Sequence, residues 1–187
     1  RQNMIRYLGR IEEIGLASRP GSRPGGGGSG GGTGDPALQS GTPAGAQYTQ
    51  GFSRDGVGEG FQDFTVQWAP PDTTMAVGPN HYIQWVNDGY AIFNKTDDSI
   101  AAGPLPGNTP WLGMNTACAT NNDGDPIIQY DRKNNRWIFT QFSVSTKPYL
   151  QCVAVSTTGD PLGSYYRFAI DFGNSYFPDY PKLGIWP

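Results

Sequence analysis

The chain of 187 residues carries a formal net charge of −3 and is rich in glycine (27) and proline (16). The charge is divided: residues 1–34 hold five Arg and two Glu, and residues 35–187 hold eight basic and fourteen acidic groups. An acidic folded part argues against nucleic acid as a partner, and no apolar run is long enough for a membrane-spanning helix.

In chain order, Met4, Ile5, Leu8 and Ile11 stand at spacings of three and four. They predict a short amphipathic helix within an arm of residues 1–19. A helix this short is marginal alone in water, so it is expected to dock, either as a chain terminus or as an anchor on a partner. Residues 20–60 read as a Gly/Pro-rich linker, flexible or extended. Its first part, PGSRPGGGGSGGGTG, has no apolar side chain to bury. From residue 61 to 187 the composition turns to Tyr, Trp, Phe, Val and Thr, the residues of strands.

Within that part, Phe61–Trp68 alternates as a strand does and is stopped by Pro70-Pro71. Strands are then expected at 75–77, 81–86 and 90–94, separated by Gly-Pro-Asn and Asn-Asp-Gly turns. A second group is expected at 127–130, 136–144, 150–157 and 164–170. Four antiparallel strands make one propeller blade. The first group lacks a clear outer strand, because residues 95–117 offer only Trp111-Leu-Gly-Met. Phe61–Trp68 is the alternative source of an edge strand, for another blade. Residues 181–187 open a third unit.

Asp72, Asp125 and Asp179 begin corresponding stretches at steps of 53 and 54 residues. Self-similarity near this period marks blades or solenoid repeats. The fold class expected is therefore all-β: a partial β-propeller of about two four-stranded blades and the start of a third, preceded by the helix and the linker. Each Asp would stand at the rim of a central channel. There it either caps a recurring turn or joins carboxylates that bind a cation or sugar or act as an acid/base pair.

The strings PPDTTMAVGPNHYIQWVNDGYAIFNK (70–95), NNDGDPIIQYDRKNNRWIFTQF (121–142), YLQCVAVSTTGDPLGSYYRFAIDF (149–172) and FPDYPKLGIWP (177–187) keep a fixed order. Over Pro70 to Pro187 the chain resembles the opening of a family of secreted bacterial β-propellers, sialidase-like or kelch-like in kind. The resemblance implies further blades and an extracellular location, and it assigns no activity.

The two cysteines, Cys118 and Cys152, suggest an oxidising compartment and a disulfide, with two buried thiols as the alternative. The chain starts at Arg1 without an apolar leader core, as a processed sequence or an internal piece would. Asn121, Asp123 and Asp125 form the densest oxygen cluster, either a polar turn or a calcium site. No EF-hand spacing supports calcium, and no other cofactor is expected. His81, the single histidine, reads as a turn or packing residue, and no confident metal or catalytic group emerges. Trp111 and Tyr176 fall in expected loops and are the candidate surface aromatics.

These features suggest a secreted or cell-surface module for binding, adhesion or structural assembly, not catalytic by itself. Its expected partners are further blades, other subunits or a glycan. The alternative is part of a glycan-active hydrolase or lyase, with catalytic residues partly outside this chain.

Overall fold

The computed structural model describes Gly51 and residues 53–186. The helix expected within residues 1–19 and the glycine tract lie outside the described residues. What is described is almost entirely β, in two four-stranded antiparallel sheets. The first runs β1 (Thr74–Val77), β2 (His81–Val86), β3 (Gly89–Asn94) and β4 (Ile100–Pro106). The second runs β5 (Ile127–Asp131), β6 (Arg136–Ser143), β7 (Leu150–Ser156) and β8 (Tyr165–Asp171). Each is a meander in which every strand pairs with the next in sequence.

The turns explain the meanders. A two-residue turn joins β2 to β3, and its first residue, Asn87, takes φ 43°. Asn is among the few residues that visit that left-handed backbone readily, and here its Nδ2 also ties the turn to the preceding segment by donating to Pro70 O at 2.9 Å. Asn135, with φ 55°, does the same work before β6. The outer strand missing from the sequence reading is β4. Its Ile-Ala-Ala-Gly-Pro-Leu-Pro carries no strand signature, yet prolines are tolerated because β4 is a sheet edge. Pairing of β3 with β4 is irregular around Ile92, and Gly103 there has φ 111°.

Phe61–Trp68 is not a strand. Residues Phe61–Asp63 form a 3-10 turn, and Gly60, Gln62 and Asp63 all have positive φ. Phe61 and Phe64 pack on the outer side of the first sheet, over Val86, Ala91 and Phe93. Their spacing of three serves a turn, and an alternating reading mistakes it for period two. Val57 joins the same cluster, and Arg54 pairs with Asp98 at 3.1 Å. Residues just before 61, read above as linker, therefore take part in packing.

The main core lies between the sheets. Because side chains alternate along a strand, one face of the first sheet presents Ile83, Trp85, Tyr90 and Ile92. They meet Ile128, Trp137, Phe139, Cys152 and Ala154 of the second. Phe139 is the hub: its ring centroid lies 5.7 Å from Trp85, 5.5 Å from Tyr90 and 5.3 Å from Tyr165. Burying each such side chain contributes about 1.5–3 kcal/mol. The connection 107–126 closes one end of this core. It holds a 3-10 turn at Thr109–Trp111 and the four-residue helix α1 (Ala117–Thr120). Cys118 of α1 is bonded to Cys152 of β7, so the disulfide expected from the sequence is present.

The registers set out two rows on one face of each sheet. Across the first sheet run the rows Thr74–Trp85–Tyr90–Leu105 and Ala76–Ile83–Ile92–Ala102. Across the second run Ile127–Thr140–Val153–Phe168 and Gln129–Ile138–Val155–Tyr166. The first pair of rows is the face covered by the second sheet. The second pair occupies the matching face of the second sheet, and there Tyr166 (62%) and Phe168 (51%) are exposed.

Candidate functional site

The recurring carboxylates come together where inner strands meet. Asp72 and Asp125 each stand two residues before an inner strand, with φ of 42° and 48°. Near Asp179 the left-handed residue is Tyr180, φ 39°, one position past it. Thr74 Oγ1 accepts a bond from the amide of Ile128 at 3.4 Å, which sets β1 beside β5. Asp125 Oδ2 accepts the amide of Tyr180 at 3.1 Å, and Gln129 Nε2 donates to Leu183 O at 2.7 Å. Asp125 thus ties the segment after Asp179 to β5.

Burial raises the Asp125 carboxyl above the ordinary carboxylate range; the neighbouring Asp72 adds to the rise, and Asp179 adds less. The amide of Tyr180 pulls the other way. Between the ordinary Asp value and the raised folded value, the native state binds more proton than the unfolded chain. Stability from this group therefore falls as pH rises through that window and stays lower above it. Asp125→Asn keeps an acceptor and a residue tolerant of positive φ. It should melt at a higher temperature than the parent at neutral pH, by about 1 kcal/mol or less after solvent screening. The gap should close towards about pH 4. Thermal melts of both proteins across that range check this; a difference independent of pH would contradict it.

Asn121, Asp123 and Asp125 do not converge on one point. Asp123 Oδ2 accepts the amides of Val144 and Ser145 at 2.6 and 2.8 Å. Asn121 Nδ2 donates to Ser143 Oγ and Thr146 Oγ1, both at 2.9 Å. Asp125 turns instead to Tyr180. Gly124 between them has φ 89°, and a Cβ there would stand 1.8 Å from Asn87 Oδ1. The run is a polar clasp joining the connection to the β6–β7 turn. Among the described residues no group of three His, Cys, Asp or Glu is placed to hold a metal ion.

Tyr176 is exposed (71%), as its loop suggested, but Trp111 is fully buried. The disulfide and α1 draw the loop onto the core, and Trp111 lies 6.5 Å from Trp85, centroid to centroid. Trp111 is thus no surface aromatic. His81 opens β2 and is half-buried. Two polar groupings escaped the sequence reading because their members lie far apart in the chain. One joins Tyr82, Asp98 and Arg54; burial first, then Asp98, pushes the Tyr82 phenol up to about 12. The other surrounds a cleft of about 420 Å³ between the outer strands, with Tyr90, Thr109, Tyr165 and Arg167 in its lining.

Comparison of the chain with protein-family models, with curated proteins and with solved structures finds no match.

Proposed function

We propose that this chain supplies successive blades of an extracellular β-propeller and acts in binding, adhesion or assembly, not in catalysis by itself. The observation that carries this reading is the equivalence of the two sheets. The rows covered on the first sheet have counterparts on the second that are mostly apolar and half-buried along β5 to β7 and exposed at Tyr166 and Phe168 of β8, as a face that receives a further sheet would be. The sheets also approach most closely along β1 and β5 and leave a cleft between their outer strands, as neighbouring blades fanned about an axis would. The cover is a further blade of the same protein or a sheet from another subunit. The buried disulfide favours an oxidising, extracellular setting. No described helix is long and apolar enough to cross a membrane.

The test is the molar mass of the 187-residue chain in solution. Uncovered sheet faces and edges associate, so the chain should run well above its 20.2 kDa. The Tyr166→Ser, Phe168→Ser double variant should return to that mass with an unchanged circular dichroism spectrum. A parent chain that is already monomeric at tens of micromolar overturns the reading.

A second reading rests on Asp125, a carboxyl with a raised pKa beside Asp72. In a glycan-active hydrolase or lyase such a group would serve as general acid. A panel of polysaccharides assayed with the parent and Asp125→Asn separates the two; activity that survives the substitution removes Asp125 from catalysis.

A further inference from the structure

We propose that the cleft between β4 and the β7–β8 turn binds a hydroxylated carboxylate, a hexuronic acid being its simplest glycan form. The cleft lies between the two sheets, away from the exposed face invoked for assembly. Its volume, about 420 Å³, falls in the range of small-ligand sites. Ile92, Leu105, Pro161 and Leu162 give it apolar lining.

The polar groups select the ligand. Thr109 donates its one hydroxyl hydrogen to Pro106 O at 2.6 Å. Tyr165 donates its own to Pro161 O. Both oxygens are left as acceptors. The Tyr90 hydroxyl lies within bonding reach of Thr109, and burial keeps the phenols of Tyr90 and Tyr165 protonated. Thr109 and Tyr165 therefore offer acceptor oxygens and Tyr90 a neutral hydroxyl, partners suited to the hydroxyls of a ligand.

Arg167 supplies the complementary half. One of its nitrogens donates to Leu112 O at 2.7 Å, which fixes the guanidinium at the cleft's edge. Four N–H donors remain, a fork matched to carboxylate. Among the described residues no carboxylate pairs with Arg167. Asp160, whose charge acts on Tyr165, accepts the amide of Leu162 at 2.9 Å. A ring with several hydroxyls and one carboxylate meets all of these demands. An amino acid fits less well, since no Asp or Glu is among the residues lining the cleft to take its ammonium.

The experiment titrates D-galacturonate, D-galactose, acetate and L-leucine into the full chain carrying Tyr166→Ser and Phe168→Ser, followed by backbone amide NMR. Galacturonate should shift amides of β4, 161–165 and Arg167, and bind at least about tenfold more tightly than the other three. Arg167→Gln, at an exposed position, should weaken galacturonate by about tenfold and leave galactose unchanged. Absence of galacturonate binding at about 20 mM overturns the proposal. So does an unaffected Arg167→Gln variant, or acetate or leucine binding as tightly as galacturonate. Because the assembly face is already altered in this background, failure here is distinct from failure of the association test.

Discussion

Replacing Cys118 and Cys152 together by alanine is expected to lower stability by about 2–5 kcal/mol. The bond closes a loop with a sequence separation of 34, so its loss returns substantial freedom to the unfolded chain. In the loop-closure model that contribution alone is about 4 kcal/mol. Both sulfurs are also buried in the main core, so truncation leaves unfilled volume that adds to the loss. The effect should spread beyond the bond. Cys118 anchors α1, and α1 holds the connection that covers Trp85 with Trp111. Trp111 fluorescence should therefore redden in the variant under native conditions. Urea denaturation gives the magnitude; a loss below about 1 kcal/mol, with Trp111 undisturbed, would mean that packing alone holds the connection in place.

Phe139→Ala is expected to cost about 3–5 kcal/mol, the range for deleting a fully buried phenylalanine. The side chain is completely buried and touches rings from both sheets and from β8. Edge and tilted aromatic pairs add about 0.5–1.5 kcal/mol each beyond area burial, so this site should lie at the upper end. Phe139→Leu, which keeps most of the volume, should lose much less. The comparison separates a hub between sheets from an ordinary core position. If alanine here costs no more than Leu150→Ala at the core's margin, Phe139 does not couple the sheets. These two changes lie in one core, and their effects should not simply add.

The second sheet was legible because its strands are rich in aromatic and β-branched residues and two of its three turns, 132–135 and 157–164, carry Asn, Asp or Gly. The cysteine pair was legible from number and composition. β4 was not, since a strand built of Ala, Gly and Pro exists only because β3 supplies its ladder. Phe61–Trp68 looked like a strand through aromatic content, and tertiary contacts with Phe93 decided otherwise. Trp111 was misplaced because loop position suggests exposure, while the disulfide pulls that loop inward. The period of Asp72, Asp125 and Asp179 was visible in the chain, but the raised Asp125 carboxyl requires burial and the proximity of its neighbours. The cleft was out of reach for the same reason: Tyr90 and Arg167 are brought together by sheet packing, and no local pattern marks them.

The most direct measurement is hydroxyl-radical footprinting of the associated protein, with Tyr176 as the internal standard for an open side chain. If the face carrying Tyr166 and Phe168 is a receiving surface for another sheet, both residues should be oxidised far more slowly than Tyr176, and they should regain reactivity on dilution to monomer. Oxidation of Tyr166 and Phe168 as fast as Tyr176 in the associated sample would contradict it.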